Sequence, residues 1–168
     1  MSDYLIVVVN RSVARLFTLE PVEFPELESG PRLTECDQLI NAEIADSHDL
    51  FTDSKTGRGA APQSSAVHGY EDNRDQHLDE VRRRFAGKVI EGVLKQAKNK
   101  RVRTIILASS ARMRRFLYHD MEALIRQEYR IQKLSKNMIN FSPYKIHAYL
   151  AEEGLVPKQE RRVADRTT

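Results

Sequence analysis

The sequence predicts an α/β fold, a mixed β-sheet sandwiched by helices, and three stretches carry that prediction. Tyr4 to Val9 (YLIVVV) and Val102 to Ala108 (VRTIILA) are short, nearly continuous apolar runs rich in β-branched residues, as strands buried on both faces are. Between them Leu78, Val81, Phe85, Val89 and Val93 recur every three or four residues, the spacing that lines one face of a helix. Strand, helix and strand in that order imply a right-handed crossover covering one face of a sheet.

The remaining elements follow along the chain. Val13 to Leu19 comes only three residues after the first apolar run, so the two form an antiparallel hairpin. Pro21, Pro25, Gly30 and Pro31 break the chain, and Leu33 to Ile44 carries a weaker, partly alternating third strand. Residues 45–70 lack periodicity and are rich in Ser, Gly, Asp and Ala, which predicts a long loop, with Asp72 or Asn73 capping the helix that follows. On that helix Asp79 with Arg83, and Glu80 with Arg84, stand four residues apart with the acid first, as stabilising pairs do. Ser109 or Ser110 caps a second helix with Met113, Leu117, Met121, Leu124 and Ile125 on one face; Tyr129 to Leu134 reads as a late strand; Ser142-Pro143 starts a last helix that Gly154 stops. One domain over residues 1–156, followed by a basic, mobile tail over 157–168, accounts for the length.

Charge is segregated along the chain although the net is only +3. From Glu20 to Asp53 ten acids face one base, a local −9, whereas from Arg82 to Arg115 twelve bases face one acid, a local +11. Such a distribution fits a polyanion or an acidic protein surface, or else the two segments neutralise each other in space. No apolar run approaches the roughly 20 residues of a spanning helix, so no membrane insertion is expected. Leu5 to Val9 is too short for a signal peptide, and the single cysteine, Cys36, can form no internal disulfide; both point to the cytoplasm.

The crossover geometry puts the Ser54 to Tyr70 loop and the Ser109 to Arg115 turn along one edge of the sheet. Arg112, Arg114 and Arg115 fall in the first turns of a helix, where the helix dipole disfavours cations, so an anion is the natural partner there. Lys55 and Arg58 on the loop can add to that site. The loop fails the phosphate-loop patterns, because Pro62 stands where a third glycine belongs and no Gly-Lys-Ser/Thr follows. His68 and His77 lie near Asp72, Asp75 and Asp79, yet acids in the first turns of a helix answer its dipole, and no metal or other cofactor is expected. His48, His119 and His147 read as isolated surface residues, and no nucleophile elbow is present.

Taken in order, YLIVVVNRSVARLFTLE, an acidic strand, a D-S-K-T-G-R-G loop, HGYEDNRDQHLDEVRRRFAGKVIEGVL and TIILASSARMRRFL, the chain resembles the bacterial host-attachment proteins over about residues 4 to 150. That family in turn looks like the middle domain of archaeo-eukaryotic class I peptide release factors and of Pelota, which implies an RNase H-like fold. Release factors carry a G-R-G-G-Q loop ahead of a basic helix with an arginine-phenylalanine pair; here Gly57-Arg58-Gly59, Gln63 and Arg84-Phe85 are similar. Ala60, Ala61 and Pro62 replace the adjacent glycines whose unusual backbone angles the loop tip needs, so peptidyl-tRNA hydrolysis is not implied. The resemblance implies a non-enzymatic module that contacts ribosome or tRNA through Lys55, Arg58, Gln63, Arg82, Arg83, Arg112, Arg114 and Arg115. The alternative expectation is a protein-interaction or regulatory module of surface attachment that docks an acidic protein.

Overall fold

The computed structural model of the chain describes residues 2–44, 66–121, 124, 127 and 129–160, with side chains from 73 onward in the second stretch. The strands are β1 (Tyr4–Val9), β2 (Val13–Glu20), β3 (Arg32–Ile40), β4 (Thr104–Ser109) and β5 (Arg130–Leu134), and the principal helices are α1 (Ala66–Lys100), α2 (Ala111–Asp120) and α3 (Pro143–Glu152). They form the expected mixed sheet, five-stranded and open, in the order β3-β2-β1-β4-β5. β2 runs antiparallel to β1 and β3, while β4 runs parallel to β1 and β5 parallel to β4.

β1 takes the centre because Leu5 to Val9 have nothing to offer solvent; every one of them is buried. Its alternation feeds two cores. Leu5, Val7 and Val9 pack with Ala14, Leu16, Ile105 and Leu107 beneath α1 and α2, whereas Ile6 and Val8 pack with Phe17, Leu19, Ile106 and Ala108 beneath α3. Helices therefore cover both faces of the sheet, and Phe85, Val89 and Val93 of α1 are buried as their spacing predicts.

The hairpin is closed by Asn10, whose Oδ1 accepts from the amides of Ser12 (2.8 Å) and Val13 (2.7 Å) while its own amide donates to the Val13 carbonyl (3.0 Å). Asn41, just past β3, then donates to the carbonyls of Ser12 and Arg11 and ties the third strand to the same turn. β3 carries a bulge: Phe17 pairs with Glu35 and Leu16 with Asp37, leaving Cys36 as the extra residue. The bulge turns Cys36 and Asp37 toward α1, where Asp37 accepts from Gln96 (3.3 Å) and burial pushes the Cys36 thiol above its ordinary range.

Arg15 anchors the other face. Its guanidinium pairs with both carboxylate oxygens of Glu35 (3.1 and 3.0 Å) and donates through Nη1 to the carbonyls of Ile139 (3.0 Å) and Phe141 (2.9 Å). The irregular segment between β5 and α3 is thereby held against β2.

Three boundaries differ from the sequence reading. α1 begins at Ala66, so residues 66–70 are helical and Asp72 and Asn73 lie inside the helix. Asn73 to His77 are all exposed, so this stretch buries none of the side chains on which a periodicity argument depends. The third strand stops at Ile40, because Asn41 leaves the ladder to bind the hairpin turn. The start of the tail is docked: the Glu160 amide donates to the Gly30 carbonyl (2.8 Å), Gln159 donates to the Ser29 carbonyl (3.2 Å), and His147 Nε2 donates to the Pro157 carbonyl (2.8 Å). His147 is accordingly a buried latch and not a surface residue.

Candidate functional site

Because β1, β4 and β5 are parallel, Val9, Ser109 and Leu134 end along one edge of the sheet. In open α/β sheets the crevice outside the carboxyl ends of strands is where ligands collect. α2 starts there. Its N-cap, Ser110, is extended and its amide donates to the Val9 carbonyl (3.0 Å), but its hydroxyl makes no capping bond. The first amides of a helix have no acceptor within it, so this end presents partial positive charge.

The N-terminal half of α1 lies against α2 at the same edge, as the crossover geometry requires. Between the two helices is an open groove of about 690 Å³ lined by Asp75, Leu78, Asp79, Arg82, Ala111, Arg112, Arg114, Arg115 and Tyr118. Arg82, Arg112, Arg114 and Arg115, drawn from two separate stretches of sequence, thus meet in one place. Arg83 faces an adjoining groove of about 540 Å³ with Asp79, Arg115, Phe116, His119 and Asp120. Lys55, Arg58 and Gln63 lie outside the described residues.

One carboxylate organises the arginines. Asp79 pairs through Oδ1 with Arg82 (2.9 Å) and through Oδ2 with Arg115, bridging α1 to α2. It does not take Arg83, the partner that spacing suggested; a partner three residues on and a second from the facing helix win instead. Partial burial opposes ionisation of Asp79, but the hydrogen bonds and charges of Arg115 and Arg82 outweigh it and hold the carboxyl below its usual range. Arg112 and Arg114 have no ion pair among the described residues, and the Nε atoms of Arg82 and Arg114 are buried without an acceptor. The groove therefore holds two arginines clamped by a carboxylate beside two that are not.

The two charged segments also meet directly, so the neutralising alternative is partly realised. Arg84 of the basic stretch pairs with Glu43 (3.1 Å) as well as Glu80 (3.5 Å), and Lys100 lies 3.8 Å from Glu20. These contacts engage Arg84 and Lys100, whereas Arg112 and Arg114 in the groove make no ion pair among the described residues.

Sequence reasoning missed Asp79 as the counter-ion and Tyr118 as the aromatic wall of the groove. Tyr118 receives the Lys133 ammonium 4.4 Å above its ring. The acid three residues before Arg82 was visible in the sequence, but nothing local joins it to Arg115. No group of three or more His, Cys, Asp or Glu among the described residues is placed to hold a metal ion, and no helix among them is long and apolar enough to cross a membrane.

The residues that carried the resemblance now have positions. Asn10 and Arg15 of N-R-S-x-A-R-L-F close the hairpin and pin the segment before α3, and in R-R-F-A Phe85 is core while Arg84 holds Glu43. These markers maintain the fold. No curated protein matches the chain. A family model described as "protein required for attachment to host cells" matches residues 5–150, from the first residues of β1 into α3, and the chain belongs to that family.

Proposed function

We propose that this chain serves host attachment as a non-enzymatic binding module of release-factor-like, RNase H-like build, whose groove between α1 and α2 takes the phosphate backbone of RNA, in a ribosome or a tRNA. The observation that carries the reading is the pair Arg112 and Arg114, which stand in the first turn of α2 without a carboxylate partner among the described residues. Guanidinium forks and free helix amides both match phosphate oxygens. The mixed sheet with helices on both faces and the edge position of the groove support the same build. Family membership supplies the link to attachment, and a cytoplasmic RNA contact would serve attachment indirectly.

Binding of labelled tRNA and of ribosomes, measured by anisotropy and co-sedimentation across a salt series, tests the reading. The logarithm of the affinity should fall linearly with the logarithm of salt, and Arg112→Ala with Arg114→Ala should weaken binding and flatten that slope by about 1 to 2. No detectable binding at low salt, or binding unchanged in the double variant, ends it.

A second reading, favoured by the family description, has the same groove docking an acidic protein that acts in attachment. A stoichiometric protein partner retained after nuclease treatment, and lost with the same double variant, would select it over RNA.

A further inference from the structure

A second surface, outside the arginine groove, has the composition of a nucleic-acid platform. From Tyr129 to Ala151 the chain runs 23 residues without a single acid, while including Arg130, Lys133, Lys136 and Lys145 and the aromatics Tyr129, Phe141, Tyr144 and Tyr149. The fold gathers part of this run into a row. The Lys136 ammonium sits over the Tyr149 ring at 5.3 Å, Lys145 occupies the position one helical turn before Tyr149 on α3, and its own ammonium sits over the Phe141 ring at 4.1 Å.

Both lysines are exposed, and neither makes an ion pair among the described residues. Their charge is held by ring faces, which attract a cation without cancelling it. Glu35 is occupied by Arg15, and that same arginine fixes the carbonyls of Ile139 and Phe141, while Glu152 and Glu153, one turn after Tyr149, mark the end of the row on α3. Tyr144, with 73% of its surface exposed, is one residue before Lys145 on α3 but lines the side of the helix toward Ser29 and Gln159, outside the row. The row is distinct from the groove: Lys133, on the Tyr118 wall of the groove, lies in register with Leu107 on the α1–α2 face of the sheet, whereas Phe141 and Tyr149 pack on the α3 face.

We propose that Lys136, Phe141, Lys145 and Tyr149 form a binding surface for single-stranded RNA: the ammonium groups move from the ring faces to phosphates, and the rings so uncovered take bases. The proposal rests on the RNA reading above and adds to it the strand form of the partner and a second contact surface. A single strand is favoured over a duplex because only unstacked bases can lie on aromatic rings, and over an acidic peptide because lysines alternate with rings as phosphates alternate with bases.

The experiment measures binding of the full chain to a fluorescent single-stranded 20-mer of uridine and to poly-glutamate, with folding of each variant checked by circular dichroism. Lys136→Glu with Lys145→Glu should cost about tenfold or more in RNA affinity and reduce the salt slope by about 1.4, two phosphates at about 0.7 each. Lys136→Arg with Lys145→Arg should preserve binding. Lys95→Glu with Lys98→Glu, an equal charge change on exposed residues of α1 away from both surfaces, should leave affinity within about twofold. If the Lys136/Lys145 reversal leaves RNA affinity intact while Arg112→Ala with Arg114→Ala abolishes it, the row is overturned and the groove reading stands. Loss of equal size in the Lys95/Lys98 control, or competition by poly-glutamate as strong as that by RNA, overturns the row as an RNA surface. Absence of any RNA binding by the unaltered chain overturns both readings.

Discussion

Arg15→Ala is the substitution that most directly tests how the sheet holds the segment bearing Lys136 and Phe141. The Arg15 side chain is only 16% exposed, and it links three parts of the chain: Glu35 on β3, the carbonyls of Ile139 and Phe141, and the Phe17 ring 4.9 Å away. Hydrogen bonds to a charged group contribute about 1.5 to 3 kcal/mol each, and the two carbonyl bonds belong at the lower end because water can replace part of them. The Glu35 pair adds less than about 1 kcal/mol, its carboxylate being 32% exposed, and the ring contact adds about 0.5 kcal/mol. The sum is about 3.5 to 4.5 kcal/mol. For a chain of this length each kcal/mol moves the melting temperature by about 2 to 4 °C, so the variant should melt about 7 to 18 °C lower. Urea unfolding followed by circular dichroism, run beside Glu35→Ala and the double variant, separates the terms. Glu35→Ala should cost under about 1 kcal/mol. If Arg15→Ala costs no more than that, or if Glu35→Ala costs as much as Arg15→Ala, the carbonyl anchor is not what holds the segment.

Two further outcomes follow from named contacts. Asp79 is held below its ordinary value of 3.8, so its contribution to stability is fully present above that pH and is lost as pH falls through the lower folded-state value. Asp79→Asn should therefore flatten the acid limb of an unfolding titration, and by releasing Arg82 and Arg115 it should tighten binding of tRNA at neutral pH; an unchanged acid limb or weaker binding would contradict the clamp. Gly87 lies within α1, and a Cβ there would meet only Asp120 Oδ2 at 3.9 Å, an ordinary contact. Gly87→Ala should raise stability by about 0.5 to 1 kcal/mol in urea unfolding through reduced backbone entropy cost, and a loss of stability would mean that the α1–α2 contact is tighter than it is drawn.

How much of this was legible depended on how local the physics was. β1, β2 and β4 were readable because strands buried on both faces must be apolar at almost every position, and Leu5 to Val9 and Ile105 to Ala108 satisfy that. α1 was readable from Leu78 onward, where one face meets the sheet. The stretch Asn73 to His77 was not, since its exposed residues bury no apolar face and so leave no periodic trace. The docking of Gln159 and Glu160 on Ser29 and Gly30 was hidden for a different reason: the contacts are backbone carbonyls, and a polar tail looks the same whether or not it finds them. At Gly30 a Cβ would fall 2.6 Å from Val22, so the site that receives the tail has room for no side chain, which the sequence records only as one glycine among turn residues.

The candidate site divides the same way. That Arg112, Arg114 and Arg115 open a helix, against the dipole, was a statement about neighbours in sequence, and it pointed to an anion before any geometry was known. That the crossover would bring the preceding helix to the same edge followed from handedness alone. Which arginines are free was another matter. Arg115 is neutralised by a carboxylate 36 residues upstream, Arg84 by one 41 residues upstream, and Lys136 comes to rest on a ring in a helix it precedes. The sequence by itself determined the α/β class, the central strands and the sign of the charge at the start of α2, because burial, periodicity and the helix dipole act over a few residues. Only the tertiary structure decided which of those charges are already paired and which rings lie beneath the lysines, because Coulomb and cation–π contacts depend on distances of a few ångströms that chain separation does not encode.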